Sequence, residues 1–422
     1  TNSMYLERII DISGGNPRLA LMAASVAKEQ NSLDAIYDVT SLYDEYFSSI
    51  KEDLEFFNHD SFLQSITIVS FFRVIDKGNP HQVELIEKAF NISFNDLWKD
   101  IEKLHQLEIF DLYENEVVKV SDQILSTYLF YKIVFVDKKI QISIFLEHFF
   151  PQYKARFVEV LNPLLNTFDT QNIINVLKEP INQTWNKYLE QEQELYTLMS
   201  VFWFLKQTDI LTYFNKKINN FDIEDIDINA INFWYRLKTN QLNSDVLERL
   251  AIFKHDSPQS IEMAIELILI YFQKKPSKLL QVIYVLTNSY GFEYKSYRYG
   301  YNKEHLLLNT VWSYCDSGNN LLITKLFIQI CHDLLKTEFD DNKFKNNQFI
   351  IQSFKIAETE ELQTLRDNIF NRLSTVYENK EYQKDIVNLI RDYPSRVSFR
   401  YGISEVEQWD SKTIIWFIQK HL

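Results

Sequence analysis

Residues 12–21 read Ile12-Ser13-Gly14-Gly15-Asn16-Pro17-Arg18-Leu19-Ala20-Leu21, "ISGGNPRLAL", and hold two of the chain's seven glycines and one of its eight prolines. With so few turn residues in 422 positions, little is left for β-hairpins, Gly-rich cofactor loops or sandwich corners. The flanks explain the concentration. Residues 4–12 (MYLERIIDI) carry apolar side chains at helical spacing, and after the turn Pro17 stands where a first helical turn tolerates proline. Leu19, Leu21, Met22 and Val26 then recur at helical intervals. This is helix, tight turn, helix. A further helix is expected from about Ser32 to Glu55, and the fold class is mainly α.

Composition narrows the class. Apolar residues at 46% and aromatics at 15% describe a packed globular chain, long enough for several cores. A net charge of −14 disfavours a phosphate backbone as partner unless bases are segregated on one face. Cys315 and Cys331 are too few for a zinc site and read as reduced core thiols. The first residues show no signal-peptide pattern, and the longest apolar runs, such as Leu195 to Leu205, reach about half a bilayer span. A cytoplasmic protein without a membrane segment is expected.

The next stretch has a different grammar. Helices are expected at 61–75 (SFLQSITIVSFFRVI), at 80–90 with Pro80 at its start, and at 93–107. The β-prone runs Ile109 to Tyr113 and Val117 to Val120 follow, around the polar turn Glu114-Asn115-Glu116. Three helices and a small hairpin make a winged-helix pattern, which a helix from Asp122 to Val136 closes. From about 139 to 338, amphipathic segments alternate with polar breaks at Asn219-Asn220, Asp256-Ser257-Pro258, Lys275-Pro276 and Ser317-Gly318-Asn319. No fixed period links them, so an irregular α-helical repeat array is expected. The polar tract Asp340 to Asn347 reads as a linker or exposed loop. After it come a β-prone run at Gln348 to Ile356, helices near 359–378 and 380–393, and a last helix near 410–421 carrying Ile414, Ile415, Trp416 and Ile418 after Trp409. The domain expectation is 1–57, a helical lid; 58–137, a winged helix; 138–339, the array; and 340–422, a small helical cap.

Most catalytic chemistry lacks local support. The sequence contains no Gly-x-x-x-x-Gly-Lys-Ser/Thr loop, His-Glu-x-x-His, Cys-x-x-Cys or Gly-x-Ser-x-Gly. Acidic pairs such as Asp340-Asp341 and Glu360-Glu361 read as solvated helix ends in so acidic a chain, and Phe202-Trp203-Phe204 as core. The run Tyr290 to Tyr301 (YGFEYKSYRYGY) differs. Tyr290, Phe292, Tyr294, Tyr297, Tyr299 and Tyr301 alternate with Lys295 and Arg298 between glycines. Tyrosine and arginine bury large areas at low entropic cost while keeping a polar tip, so the run is a candidate partner-binding surface; a crossover packed on neighbouring helices is the alternative.

The helix, the Gly15-Asn16-Pro17-Arg18 turn, the apolar helix and the following winged-helix pattern together resemble the lid and winged helix of AAA-related ATPases. The signal-transduction ATPases with numerous domains, the STAND class, are the nearest likeness. The resemblance covers residues 4–136 in motif and order, and the remainder only in helical character. It implies that Pro17 lies against an adenine, that Arg18 reaches a terminal phosphate, and that Gly15 and Asn16 complete a nucleotide-contacting turn. A plain helical corner with Arg18 exposed is the alternative. ATP and Mg²⁺ are implied for a longer protein whose P-loop core is not in these 422 residues, so the chain is expected to be a C-terminal piece without hydrolytic activity of its own; a degenerate relative that no longer binds nucleotide is the alternative. The function implied is the sensor and regulatory portion of a switch in antiphage defence or signalling. A protein trigger, phage-derived in the defence case, would dock on the array, and the ATPase core and further copies of the chain would be the other partners. The alternatives are a DNA-binding winged helix of the origin-recognition AAA+ kind, reading through 93–107, or a helical-repeat adaptor.

Overall fold

The computed structural model describes residues 3–13, 17–30, 42–43, 59–121, 123–228, 231–233, 244–315, 319–345, 348–393 and 404–421. Among them are nineteen α-helices and two small antiparallel sheets, a mainly α fold. The chain forms two compact units, Thr1–Leu205 and Lys206–Leu422, and the division falls inside the span 138–339 expected as one array.

In the first unit, α1 (Ser3–Ser13) packs on α2 (Pro17–Gln30), with Pro17 as the first helical residue. The stripe that α2 buries is Met22, Ala23, Val26 and Ala27; Leu21, expected on that face, is 69% exposed. Apart from Leu42 and Tyr43, the helix expected at 32–55 lies outside the described residues. Tyr43 is buried and stacks on Tyr128 with ring centroids 5.1 Å apart.

The expected helix at 61–75 is shorter than its periodicity suggested. The helix α3 (Asp60–Phe72) stops because Arg73 takes a left-handed φ of 62°, and Val74–Asp76 becomes a strand, β1. Gln82 on α4 (Pro80–Phe90) covers the strand's open edge, donating from Nε2 to the Val74 carbonyl and accepting from the Asp76 amide through Oε1. Asn79 caps α4 by accepting from the Gln82 amide. Helix α5 (Phe94–Gln106) buries Phe94, Leu97, Trp98, Ile101 and Leu104 along one stripe. The hairpin β2 (Phe110–Tyr113) and β3 (Val117–Val120) turns through Glu114 and Asn115 at positive φ, and the Trp98 indole donates to the Asn115 side chain over 3.0 Å. The sheet order is β1-β3-β2, with Ile75 opposite Val118 and Leu112 opposite Val118 on the other side.

The expected closing helix is also modified. After α6 (Gln123–Phe130) the backbone widens into a π turn over Tyr131–Val136, with the Asp137 amide donating to the Lys132 carbonyl. The aromatic core then runs past the expected boundary at 137: Phe71 of α3 meets Phe145 and Phe149 of α7 (Ile142–Phe149) and Phe157 of α8 (Lys154–Thr167). Helices α9 (Thr170–Tyr188) and α10 (Glu192–Phe202) complete this unit. Phe202 is fully buried and touches Phe150 and Phe157, whereas Trp203 and Phe204 are half-buried.

The second unit contains α11 (Gln207–Asn219), α12 (Asp245–Leu250), α13 (Pro258–Lys274), α14 (Leu279–Ser289), α15 (Asn302–Ser313) and α16 (Leu321–Leu334). Their caps are legible chemistry: Ser257 precedes Pro258 and accepts from the Ser260 amide, and Asn320 accepts from the Ile323 amide. The tract 340–347, expected as a loop, is instead mostly strand. A hairpin pairs β4 (Glu338–Lys345) with β5 (Gln348–Lys355) in the register Glu338↔Lys355 to Lys345↔Gln348. Cross-strand backbone bonding outweighs the low strand propensity of the Asp-Asp-Asn-Lys run, and Phe339 stacks opposite Phe354 at 5.6 Å. Helices α17 (Glu360–Tyr377), α18 (Lys380–Asp392) and α19 (Glu405–His421) follow. The buried Arg366 guanidinium lies 3.4 Å from the Asp410 carboxylate and donates to the Lys336 carbonyl, tying α17 to α19 and to the end of α16. On α19, Ile415, Trp416 and Ile418 point outward, while Val406 and Phe417 are buried.

Candidate functional site

The structure builds a sizeable cavity beside the tyrosine-rich run. A cleft of about 910 Å³ in the second unit is bordered by Lys254 and His255, by residues 291–295 and Tyr299, and by Asp333, Lys336, Glu338 and Phe339. The buried side chains of Leu307, Ile330 and Leu334 supply its apolar floor.

The loop is held at both ends by its buried tyrosines. Tyr290 is fully buried, its hydroxyl donating to the Leu250 carbonyl, and burial pushes its pKa upward. Gly291 is required beside it, since a Cβ there would lie 2.2 Å from the Thr287 carbonyl oxygen. At the other end Gly300 and Tyr301 both take left-handed backbone, and the buried Tyr301 hydroxyl donates to the Ala357 carbonyl over 2.7 Å. Phe292 packs edge-on against the Tyr301 ring, and Tyr294 lies 4.6 Å from the Phe354 ring of β5. The middle is fixed by Ser296, whose hydroxyl accepts from the Glu293 amide and donates to the buried Glu304 carboxylate. Burial pushes the Glu304 carboxyl up to about 7, although the Ser296 hydrogen bond pulls the other way.

Seven loop residues were expected at a partner surface, and they divide by position. Tyr297 and Tyr299 are exposed, as is Arg298, whose guanidinium donates to the Tyr297 hydroxyl; Tyr294 is exposed on the face toward β5. Phe292 is half-buried, and Tyr290 and Tyr301 are anchors rather than contact residues. Burial thus splits the aromatics of the run into two sets, which the sequence did not separate.

The other cleft walls had no local signal. Lys254 and His255 end a short 3₁₀ turn, Ala251–His255, while Asp333, Lys336 and Glu338 mark the passage from α16 to β4. Asp333 pairs with Lys336 at 2.5 Å, and Glu293 with Lys303 at 3.3 Å. Lys254 and Lys295 have no carboxylate partner among the described residues. One Glu338 carboxylate oxygen is buried without a hydrogen bond. Burial lowers the His255 pKa, and Lys303 and Lys254 add to that while Glu293 opposes it, so the imidazole favours its neutral form.

At the expected nucleotide turn, Pro17 is exposed at the start of α2 and Arg18 follows it in the helix; Gly15, Asn16 and the side chain of Arg18 lie outside the described residues. On α5, the expected DNA-reading helix, Lys99 pairs with Asp96 at 2.8 Å and Lys103 with Asp100 at 3.7 Å, and His105 bonds the Phe110 carbonyl. Its bases are therefore largely neutralised within their own element. Among the described residues no group of three or more His, Cys, Asp or Glu is arranged to hold a metal ion, and no helix is long and apolar enough to cross a membrane. No protein-family model, curated protein or solved structure matches the chain.

Proposed function

We propose that this chain is a protein-recognition module whose contact surface is the cleft beneath the Tyr290–Tyr301 loop, and that it serves as the sensor and regulatory portion of a STAND-type switch in antiphage defence or signalling. The observation that carries the proposal is the division of labour within the loop. Buried Tyr290 and Tyr301 fix its ends while Tyr297, Arg298 and Tyr299 stand exposed, Tyr299 at the border of a preformed cavity. Rigid aromatic side chains held in place before binding lose little entropy on docking.

The likeness of residues 4–136 to a lid and winged helix supports the finer part. On this reading trigger capture is relayed through the first unit to an ATPase core that holds ATP and Mg²⁺, with assembly of several copies as the outcome. Pro17 and Arg18 would face that nucleotide.

The test is direct capture. Phage structural and packaging proteins, expressed one by one, are presented to the purified chain without nucleotide, and at least one should be retained by the native chain and lost with Tyr299→Ala or Arg298→Ala. Retention unaffected by both variants, or uniform failure with a folded sample, overturns the reading.

A further inference from the structure

The cleft's chemistry narrows the kind of partner, an inference that rests on the recognition reading above. The whole chain is acidic, at −14, yet the cleft is lined by Lys254 and Lys295, and Arg298 stands on the same loop next to the lining residue Tyr299. Two of the three acids at the cleft are committed, Asp333 to Lys336 and Glu293 to Lys303, which leaves Glu338. Against that one carboxylate stand two cations without a carboxylate partner, Lys254 and Lys295, and on the loop beside them Arg298 is engaged by the Tyr297 hydroxyl and ring. Between these cations lie aromatic walls, Tyr294, Tyr299 and Phe339, over an apolar floor.

One further group asks for a ligand of mixed character. Glu338 stands at the start of β4 with one carboxylate oxygen buried and unbonded, at the cleft wall. Its charge repels any negative group placed against it, so a ligand's acids have to meet Lys254 and Lys295 instead. We propose that the cleft takes an extended peptide segment bearing Asp or Glu side chains, which pair with Lys254 and Lys295 while its apolar side chains fill the floor. The volume, near the top of the ~300–1,000 Å³ range of ligand sites, accommodates a short segment. Specificity follows from charge: a basic segment meets Lys254 and Lys295 with like sign and without a free carboxylate other than Glu338.

A displayed library of random peptides selected on the purified 422-residue chain tests this. Selected sequences should be enriched in Asp and Glu over the input, and the strongest should weaken by about tenfold when its acids are replaced by Asn or Gln, as expected of two or three exposed charge pairs. The variant Lys254→Glu/Lys295→Glu, checked as folded by circular dichroism, should lose the enrichment. Neutral or basic selections, no retained peptide on a folded chain, or displacement of bound peptides by a thymidine oligomer in preference to a competing acidic peptide would each overturn it. The two readings fail differently. A captured protein lost with Tyr299→Ala but indifferent to Lys254→Glu/Lys295→Glu leaves recognition standing and removes the acidic segment, and indifference to both removes recognition itself.

Discussion

The phenylalanine cluster of the first unit and the tyrosine run 290–301 of the second use aromatic residues in different ways. In the first, Phe71, Phe130, Phe145, Phe149 and Phe157 are almost fully buried and meet ring against ring. In the second, the tyrosines of 290–301 alternate between buried anchors and exposed tips beside cations. The difference lies in the hydroxyl. A phenylalanine has no polar group to satisfy and can be packed on all sides, whereas a tyrosine is either tethered by its hydroxyl or left at the surface. Aromatic residues therefore make core in the first cluster, while in the 290–301 run they divide between buried anchors and exposed tips.

Substitutions should separate these roles, beginning with the largest effect. Phe71→Ala removes a ring at the centre of the first cluster and should lower stability by about 3–5 kcal/mol, read as a drop in the urea midpoint of the first unit. A similar loss on Tyr299→Ala would erase the contrast. Next comes Glu304→Gln. The native carboxyl is raised from 4.5 to about 7, so the folded state holds a proton that the unfolded state has released between these values. Stability should therefore be greatest below pH 4.5 with respect to this group, decline on the order of 3 kcal/mol as pH rises to about 7, and level off above. The glutamine variant should flatten that slope in denaturant titrations across the window; an unchanged slope would show that Glu304 does not govern the loop.

Gly291→Ala should have an intermediate effect. Its new methyl would meet the Thr287 carbonyl and force the loop away from α14, at a cost of about 1–3 kcal/mol. Limited proteolysis within 290–301 should accelerate accordingly. Smallest in stability is Tyr299→Ala, at 64% exposure, which should change the midpoint by less than about 0.5 kcal/mol while abolishing capture.

Helices with a cap and a regular stripe were readable to within a residue or two: 80–90 is Pro80–Phe90 with Asn79 as cap, and 93–107 is Phe94–Gln106. The misreadings occur where non-local pairing decides. Val74 and Ile75 are helical by periodicity, but Arg73 adopts positive φ and β3 offers a partner, and the strand over 338–345 depends on β5 rather than on its own composition. The same holds for the cleft. Its loop was visible as an odd run of tyrosines, but Lys254, Lys336 and Glu338 are ordinary surface residues in sequence, and only packing brings them to one rim. Neither the burial of Tyr290 and Tyr301 nor the pairing of Asp333 has a one-dimensional signature.

The two cysteines carry a practical consequence. Both are fully buried in the second unit, Cys315 just beyond α15 and Cys331 within α16, and burial pushes the Cys315 thiol up to about 12 and the Cys331 thiol well above its ordinary value. Neither offers a thiolate to an alkylating reagent while the helices remain closed. The rate of covalent labelling then becomes a stopwatch for the opening of this layer, silent about the cysteine-free first unit. A ligand seated above Ile330 and Leu334, on the same helix as Cys331, should slow that stopwatch without touching either sulfur.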